Sequence, residues 1–316
     1  MKKVAIVGAG ISGLYLANEL NKNTEIDYKI FEKKDYLNLN EGYGIQLSVN
    51  SINLLNKIGF KNISASDVYY PTKVNFFQAK NIKKICEIDL KQFNNVNDRY
   101  TTLKRSTLIK FLIGNIPEEK IQFKADIQNI EYNEKIKISW NNKNESFDYI
   151  VIADGVFSKL KSQISNNHLN PIFNGNIALR ANLKQHEKDN ISVYMGSNFH
   201  YVTYPVNQKL EYNFVAIIKK KLTTKEIEDK NILNSETFIK SLKDFISKNS
   251  IINLESLANI KCFPVFVSTE LPTLKYQNTY LSGDALFAFP PSFAQGASQS
   301  IETVSYTHLR AHETTC

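Results

Sequence analysis

Cysteine is nearly absent from this chain. Cys86, Cys262 and Cys316 stand far apart in 316 residues, so neither a disulfide framework nor a thiolate metal site is expected. Long apolar runs are missing too: no stretch approaches the ~18 residues of a membrane span. Met1-Lys2-Lys3 leads straight into a short apolar run broken by glycines. That is not the pattern of a signal peptide, and a cytoplasmic location is the expectation. A basic face interleaved with aromatics is also lacking, although the net charge is +8 and the isoelectric point is near 9.1. The lysines are scattered among asparagines and isoleucines, and Lys219-Lys220-Lys221 is the only run of three. Nucleic acid is therefore not an expected partner. An apolar content of 42% with 22% charged residues describes a globular chain, and 316 residues suffice for about two domains.

What the chain does have begins at Val4-Ala5-Ile6-Val7-Gly8-Ala9-Gly10-Ile11-Ser12-Gly13. Four consecutive apolar residues predict a strand buried on both faces. The spacing G-x-G-x-x-G then assigns a task to each glycine. Gly8 allows the tight turn, Gly10 leaves room for a pyrophosphate, and Gly13 lets the next helix pack closely on the strand. Leu14, Ala17 and Leu20 recur at helical spacing, and the helix N-terminus suits a phosphate. A second strand, Asp27 to Glu32, follows. Glu32 lies 19 positions after Gly13, near the ~20 expected of an acid that binds ribose hydroxyls. These features predict an α/β fold with a Rossmann-like βαβ dinucleotide-binding domain.

Further along, a helix is expected over Ser51–Ile58, closed by Gly59, and strands over Lys73–Gln78 and Lys84–Leu90. Arg105, Leu108 and Leu112 start another helix. Strands follow at Ile121–Phe123, Ile127–Tyr132 and Lys135–Trp140, and a buried strand runs from Phe147 into the Asp154-Gly155 turn. From Pro171 the chain reads as sheet. Residues 222–260 read as polar and helical, with Phe238, Leu242 and Phe245 on one face. The domain assignment is discontinuous: 1–70, 99–165 and 276–303 for the dinucleotide domain, 71–98 and 166–275 for a mixed or antiparallel β-sheet substrate domain.

Several stretches resemble one family. Gly42-Tyr43-Gly44-Ile45-Gln46-Leu47-Ser48-Val49-Asn50 is similar to the G-x-G-I-x-L-x-P-N-A segment of the class A FAD-dependent aromatic monooxygenases. The nearest branch holds salicylate hydroxylase, 3-hydroxybenzoate 6-hydroxylase and zeaxanthin epoxidase. Arg105 matches the R-x-x-L-x-x-x-L helix that brings an arginine to the flavin. Asp154-Gly155-x-x-Ser158-x-x-Lys161 resembles D-G-x-x-S-x-x-R, with lysine in place of arginine. Pro171 to Arg180 resembles P-x-x-x-G-x-x-A-x-R. Gly196 to Val206 resembles the hairpin G-x-x-x-H-x-V-x-Y-P-V. Leu281 to Glu302 resembles G-D-A-x-H-x-x-x-P-x-x-G-Q-G-x-N-x-x-x-E-D, with Phe287 for the histidine and Ala294 for the first glycine of G-Q-G.

The resemblance implies FAD as cofactor. It places Gly8, Gly10, Ser12, Gly13, Glu32, Lys33, Gln46, Arg105, Ile127, Asp154, Asp284, Pro291, Gly296 and Ala297 in the cofactor site. Ile127 would touch the adenine through its amide, and Asp284 the ribityl chain. Pro291 would lie at the flavin edge, and Gly296-Ala297 would start the helix beneath the ring. Arg180 and His200 are the substrate-side candidates, His200 as a base. The implied activity is NADH- or NADPH-driven hydroxylation of a small aromatic or phenolic molecule with O₂ through a flavin C4a-hydroperoxide. Epoxidation or reduction of an isoprenoid or quinone-type substrate is an alternative, and an inactive FAD-binding fragment is another. Flavin halogenation is disfavoured because Trp140 is the one tryptophan. No metal is required, and a monomer or homodimer is expected.

After Thr303 the pattern stops. Residues 304–316 resemble the read-through of a sequencing adaptor. The expectation is a non-native tail in place of a longer apolar helix, with His308 and His312 not to be read as a metal pair.

Overall fold

Strand β1 (Lys2–Val7) runs through the middle of a wholly parallel five-stranded sheet, in a computed structural model that describes residues 1–39, 42–167, 169–183, 189–209, 211–291 and 294–313, the stretch 306–313 as backbone only. With strands numbered along the chain, the sheet order is β18 (Thr279–Leu281), β12 (Tyr149–Ile152), β1, β2 (Ile26–Phe31), β8 (Ile121–Gln122). Val4 and Ile6 enter one hydrophobic core, Ala5 and Val7 another on the opposite face. The uninterrupted apolar run is thus explained by burial on both sides. The first core holds helices α1 (Ile11–Leu20) and α3 (Arg105–Gly114). Ile301 and Val304 of the last helix, α8 (Gly296–Glu313), are buried in it as well. The second core is capped by a meander of β9 (Asn129–Tyr132), β10 (Ile136–Trp140) and β11 (Lys143–Phe147), whose Trp140 ring lies 4.8 Å from Phe31. Helix α4 (Leu160–Ile164) closes its edge with buried Leu160 and Ile164.

A seven-stranded sheet forms the other layer. Its order is β17 (Leu257–Val267), β13 (Ile172–Leu183), β16 (Tyr212–Lys219), β15 (Phe199–Pro205), β14 (Ile191–Met195), β5 (Lys73–Gln78), β6 (Lys84–Asp89). All neighbours are antiparallel except β14 and β5. One face is covered by α6 (Lys230–Leu233) and α7 (Glu236–Asn249). Phe238, Leu242 and Ile246 of α7 recur every four residues and pack on Leu179, Phe214 and Tyr201. Ser235 accepts the Phe238 N–H at the start of α7, and a reciprocal Thr223–Glu226 capping box starts α5 (Thr224–Glu228). Helical structure ends earlier than the sequence suggests. Residues 257–260 already belong to β17, where alternation at a sheet edge outweighs polar composition.

A small layer joins the two sheets: β3 (Gly44–Leu47), β7 (Thr101–Lys104) and β4 (Val68–Tyr69), with α2 (Val49–Asn56) following β3. The Ser48 and Ser51 hydroxyls both donate to Glu302 Oε1 at 3.1 Å, which ties α2 to α8. Helix α8 continues through Thr303 to Glu313; the side chains of His308 and His312 lie outside the described residues. No helix among the described residues is long and apolar enough to cross a membrane.

A Cβ on Gly13 would lie 2.0 Å from the Gly8 carbonyl oxygen, a backbone atom that cannot swing aside. Gly13→Ala should therefore destabilise the chain by about 3 kcal/mol or more. A thermal melt should show a loss of roughly 5 °C or more, and an unchanged melting temperature would contradict the close packing.

Candidate functional site

Three strand ends converge beside the glycine turn. The Gly8 N–H donates to the Phe31 carbonyl (2.8 Å), Ala153 N–H to Val7 (2.7 Å) and Ser282 N–H to Ile152 (3.0 Å). Gly8 has φ +106°, and a Cβ there would lie 2.5 Å from the Ala153 oxygen. Gly10 differs: nothing lies within 4 Å of where its Cβ would be. The turn is closed at its first and third glycines and open at the second, where a ligand backbone could approach.

Glu32 is buried, not a solvated strand end. Its Oε2 accepts the Ala9 N–H (2.9 Å) and its Oε1 the Lys34 N–H (3.0 Å). A carboxylate offers about four acceptor positions, so capacity remains for a ribose. Lys33 is exposed beside it. Asp154 Oδ1 is buried without a hydrogen-bond partner. Burial raises its carboxyl above the usual range, against the pull of Ser158, Lys33 and Lys161. Lys161 is itself 4% exposed, and burial lowers its pKa, opposed by Asp154. The Ile127 side chain is buried in the second core, which leaves only its backbone available to a ligand.

On the other side of the turn, Ser12 and Ser282 hydroxyl oxygens lie 2.6 Å apart. Asp284 follows on a short 3₁₀ turn, and burial raises its carboxyl while the Arg105 charge draws it back down. Asp284 is exposed to water in a cleft of about 320 Å³ lined by the turn, Phe287 and Ser300. Arg105 opens α3, its N–H donating to the Tyr43 carbonyl at 2.8 Å. Two residues 179 positions apart thus act on each other electrostatically. Gly296 and Ala297 form the first turn of α8, and Pro291 lies on the loop before it. Ala294, at the position where the pattern prefers glycine, has φ +53°.

Arg180 and His200 lie on the seven-stranded face that α7 does not cover. Three register rows cross β13, β16 and β15: Asn182–Asn213–Tyr204, Arg180–Val215–Val202 and Ala178–Ile217–His200. Strand spacing puts the Arg180 and His200 Cα atoms roughly 12 Å apart, so they share a face but do not touch. The joining layer packs on this face, where Gly44 N–H donates to Asn213 Oδ1 (2.7 Å) and Thr102 Oγ1 to the Pro205 carbonyl (2.6 Å). Gln46 is part of it: Tyr100 OH donates to Gln46 Oε1 at 2.8 Å, and the Gln46 amide also bonds the Tyr204 hydroxyl. Burial raises Tyr204 well above the phenol range, opposed by the charge of Arg180, and raises Tyr100 to about 12. Burial alone lowers His200.

Tyr100, Tyr204 and Ser282 were not among the site residues expected from the sequence. For Tyr204 a signal was present, since it follows His200 by four positions on one strand and must share its face. Tyr100 and Ser282 carry no local signal. Among the described residues, no cluster of three or more histidine, cysteine or acidic side chains could hold a metal.

Comparison with known proteins adds relatives. Salicylate hydroxylase of Pseudomonas putida is 23% identical over 331 residues, covering 95% of this chain and 74% of that protein. The FAD-dependent monooxygenase subE of Metarhizium robertsii is 27% identical over 177 residues, 51% of this chain and 52% of its own. The crystal structure of Klebsiella pneumoniae HpxO, complexed with FAD and uric acid, shares the fold with a TM-score of 0.79 at 15% identity, over 96% of this chain and 78% of that one. The family described as FAD binding domain matches residues 1–307. With nearly its whole length inside that match, and with a glycine turn open at the position where a pyrophosphate would lie, this chain belongs to the FAD-binding-domain family.

Proposed function

We propose that this chain is an NAD(P)H-dependent FAD monooxygenase that hydroxylates a small aromatic molecule on the uncovered face of its seven-stranded sheet. One observation carries the reading. Two polar groups flank the joining layer: Asp284 with Arg105 beside the glycine turn, and Gln46 with Tyr100, Tyr204 and the charge of Arg180 on that sheet. Residues 1–70, 99–165 and 276–303 would hold the cofactor, and 71–98 and 166–275 the substrate.

The residues suit FAD. Gly10 leaves the turn open, Glu32 keeps acceptor capacity for a ribose, and Asp154 has a buried oxygen without a partner. Asp284 would accept from the ribityl hydroxyls, and the first turn of α8 would face the ring with its free amides. When bound and reduced, FAD supplies the activation of O₂ for transfer of one oxygen atom. The chain does the rest. Val202, Val215 and Ile217 give the substrate face an apolar floor that excludes water. Arg180 offers the one positive charge in those register rows, suited to an anionic ring substituent. His200, neutral because burial disfavours its charged form, can accept a phenolic proton and make the ring more electron-rich.

Three outcomes test this. Asp284→Ala should purify without flavin while its circular dichroism stays that of the parent; a yellow variant would sink the assignment of Asp284. The parent should oxidise NADH or NADPH faster with a phenol in the panel that it hydroxylates, and hydrogen peroxide as the sole product with every phenol would count against the reaction. For His200 the sign follows from burial. Its folded pKa lies below the ordinary 6.5, so the base is available at neutral pH and is lost only on acidification below that value. The acid limb of kcat/KM should fall below pH 6.5, and His200→Asn should remove it; an unchanged limb would exclude His200 as the base.

A further inference from the structure

Ser282 is an odd residue for its place. It directly follows β18, the edge strand of the parallel sheet next to β12, is 1% exposed, and comes after the apolar Leu281. A buried hydroxyl needs a partner. Its partner is the Ser12 hydroxyl, 2.6 Å away across 270 residues of chain, itself 6% exposed. The Ser282 backbone is held by its own bond to the Ile152 carbonyl, so the hydroxyl cannot wander.

Ser12 is the second residue of α1. That helix has Gly10 at its N-cap with no side-chain cap, and no acidic residue in its first turn. Its N-terminal charge is left for a group from outside. The space beside it, at Gly10, is open. Two hydroxyls 2.6 Å apart share one proton, and each brings one. If Ser12 gave its proton to Ser282, it would have none for an anion at the helix end. The arrangement that satisfies every group is a chain: Ser282 O–H donates to Ser12 Oγ, and Ser12 O–H donates outward to a phosphate oxygen. Each bond polarises the next, which strengthens the last one.

We infer that Ser282 is a positioning residue for the pyrophosphate of the dinucleotide: acting through Ser12, it sets the Ser12 hydroxyl as an outward donor at the N-terminus of α1. The inference rests on the FAD reading of the site. It also ties the two ends of the cofactor site together, because the next residue but one is Asp284. The hydroxyl that orients a phosphate donor and the carboxylate assigned to the ribityl chain are carried by one turn.

The test uses the full-length chain freed of flavin and three probes, FAD, ADP and riboflavin, measured by calorimetric titration. Ser282→Ala removes one buried oxygen and adds nothing. It should weaken FAD and ADP by about fivefold to tenfold and leave riboflavin, which has no phosphate, unchanged. In a cycle with Ser12→Ala, the double variant should bind ADP no more weakly than Ser12→Ala alone. Equal loss for riboflavin would mean that Ser282 merely supports the fold, and additive losses or an unchanged ADP affinity would also overturn the inference. Failure of the parent to bind FAD or ADP would remove the cofactor reading itself, a different result from a parent that binds and a variant that matches it.

Discussion

The structure depends on the close approach of four strand ends. Backbone bonds from Gly8 to Phe31, Ala153 to Val7 and Ser282 to Ile152 draw four chain segments together at the carboxyl edge of one parallel sheet. In such a sheet the helix starts and loop turns collect at that edge, where a ligand meets unpaired amides. The cost is steric. A Cβ on Gly8 would meet the Ala153 oxygen, and one on Gly13 the Gly8 oxygen. The middle glycine escapes this crowding, so the same turn that packs the sheet also opens it to a dinucleotide.

From that edge the site spreads through the joining layer. Its strands are short, but they link the seven-stranded sheet to the last helix: Gly44 and Thr102 bond the seven-stranded sheet, and Ser48, just after β3, reaches Ser298 and Glu302 of α8. Gln46 therefore occupies a hinge of the architecture as well as of the proposed chemistry. Of the two acids at the edge, Asp154 has a buried oxygen without a partner, whereas Asp284 is open to water. Burial raises both Asp154 and Asp284, and Arg105, Lys33 and Lys161 offset it only in part. A ligand that hydrogen-bonds the buried Asp154 oxygen would relieve that cost, and its binding would add to stability by mass action.

Much of this was readable in advance. The first strand, its glycines and Glu32 lie within one βαβ unit, so local pattern suffices. The Asp284 turn was readable through its resemblance to a known segment. What could not be read depends on contacts between distant residues. Tyr100 meets Gln46 across 54 positions and Ser12 meets Ser282 across 270, and nothing in either neighbourhood announces the other. The start of β17 was hidden because its outward residues are polar, so period-two alternation resembled an extension of the helical region. Ala294 is a different case. The departure from glycine was visible, but its consequence was not: the backbone there keeps the left-handed φ of +53°, at a cost of about 1–2 kcal/mol for an L-residue. The loop before α8 holds the conformation that the glycine pattern serves, with a residue that resists it.

Glu32 shows why fold and site cannot be separated here. Its position near the ribose-binding spacing could have meant a carboxylate free in solvent. Instead its Oε2 accepts the amide of Ala9, inside the glycine turn, and its Oε1 the amide of Lys34. The carboxylate therefore fixes the turn proposed to receive a pyrophosphate, whether or not it meets a ribose. Replacing it would disturb both contacts together, and a loss of dinucleotide affinity there would not isolate the ribose. The hydroxyl pair at Ser12 differs in this respect, since it joins the turn from the far side of the sheet and leaves its backbone bonds intact. The cradle is thus held from two sides, by a carboxylate that shapes it and by a hydroxyl chain that orients its donor.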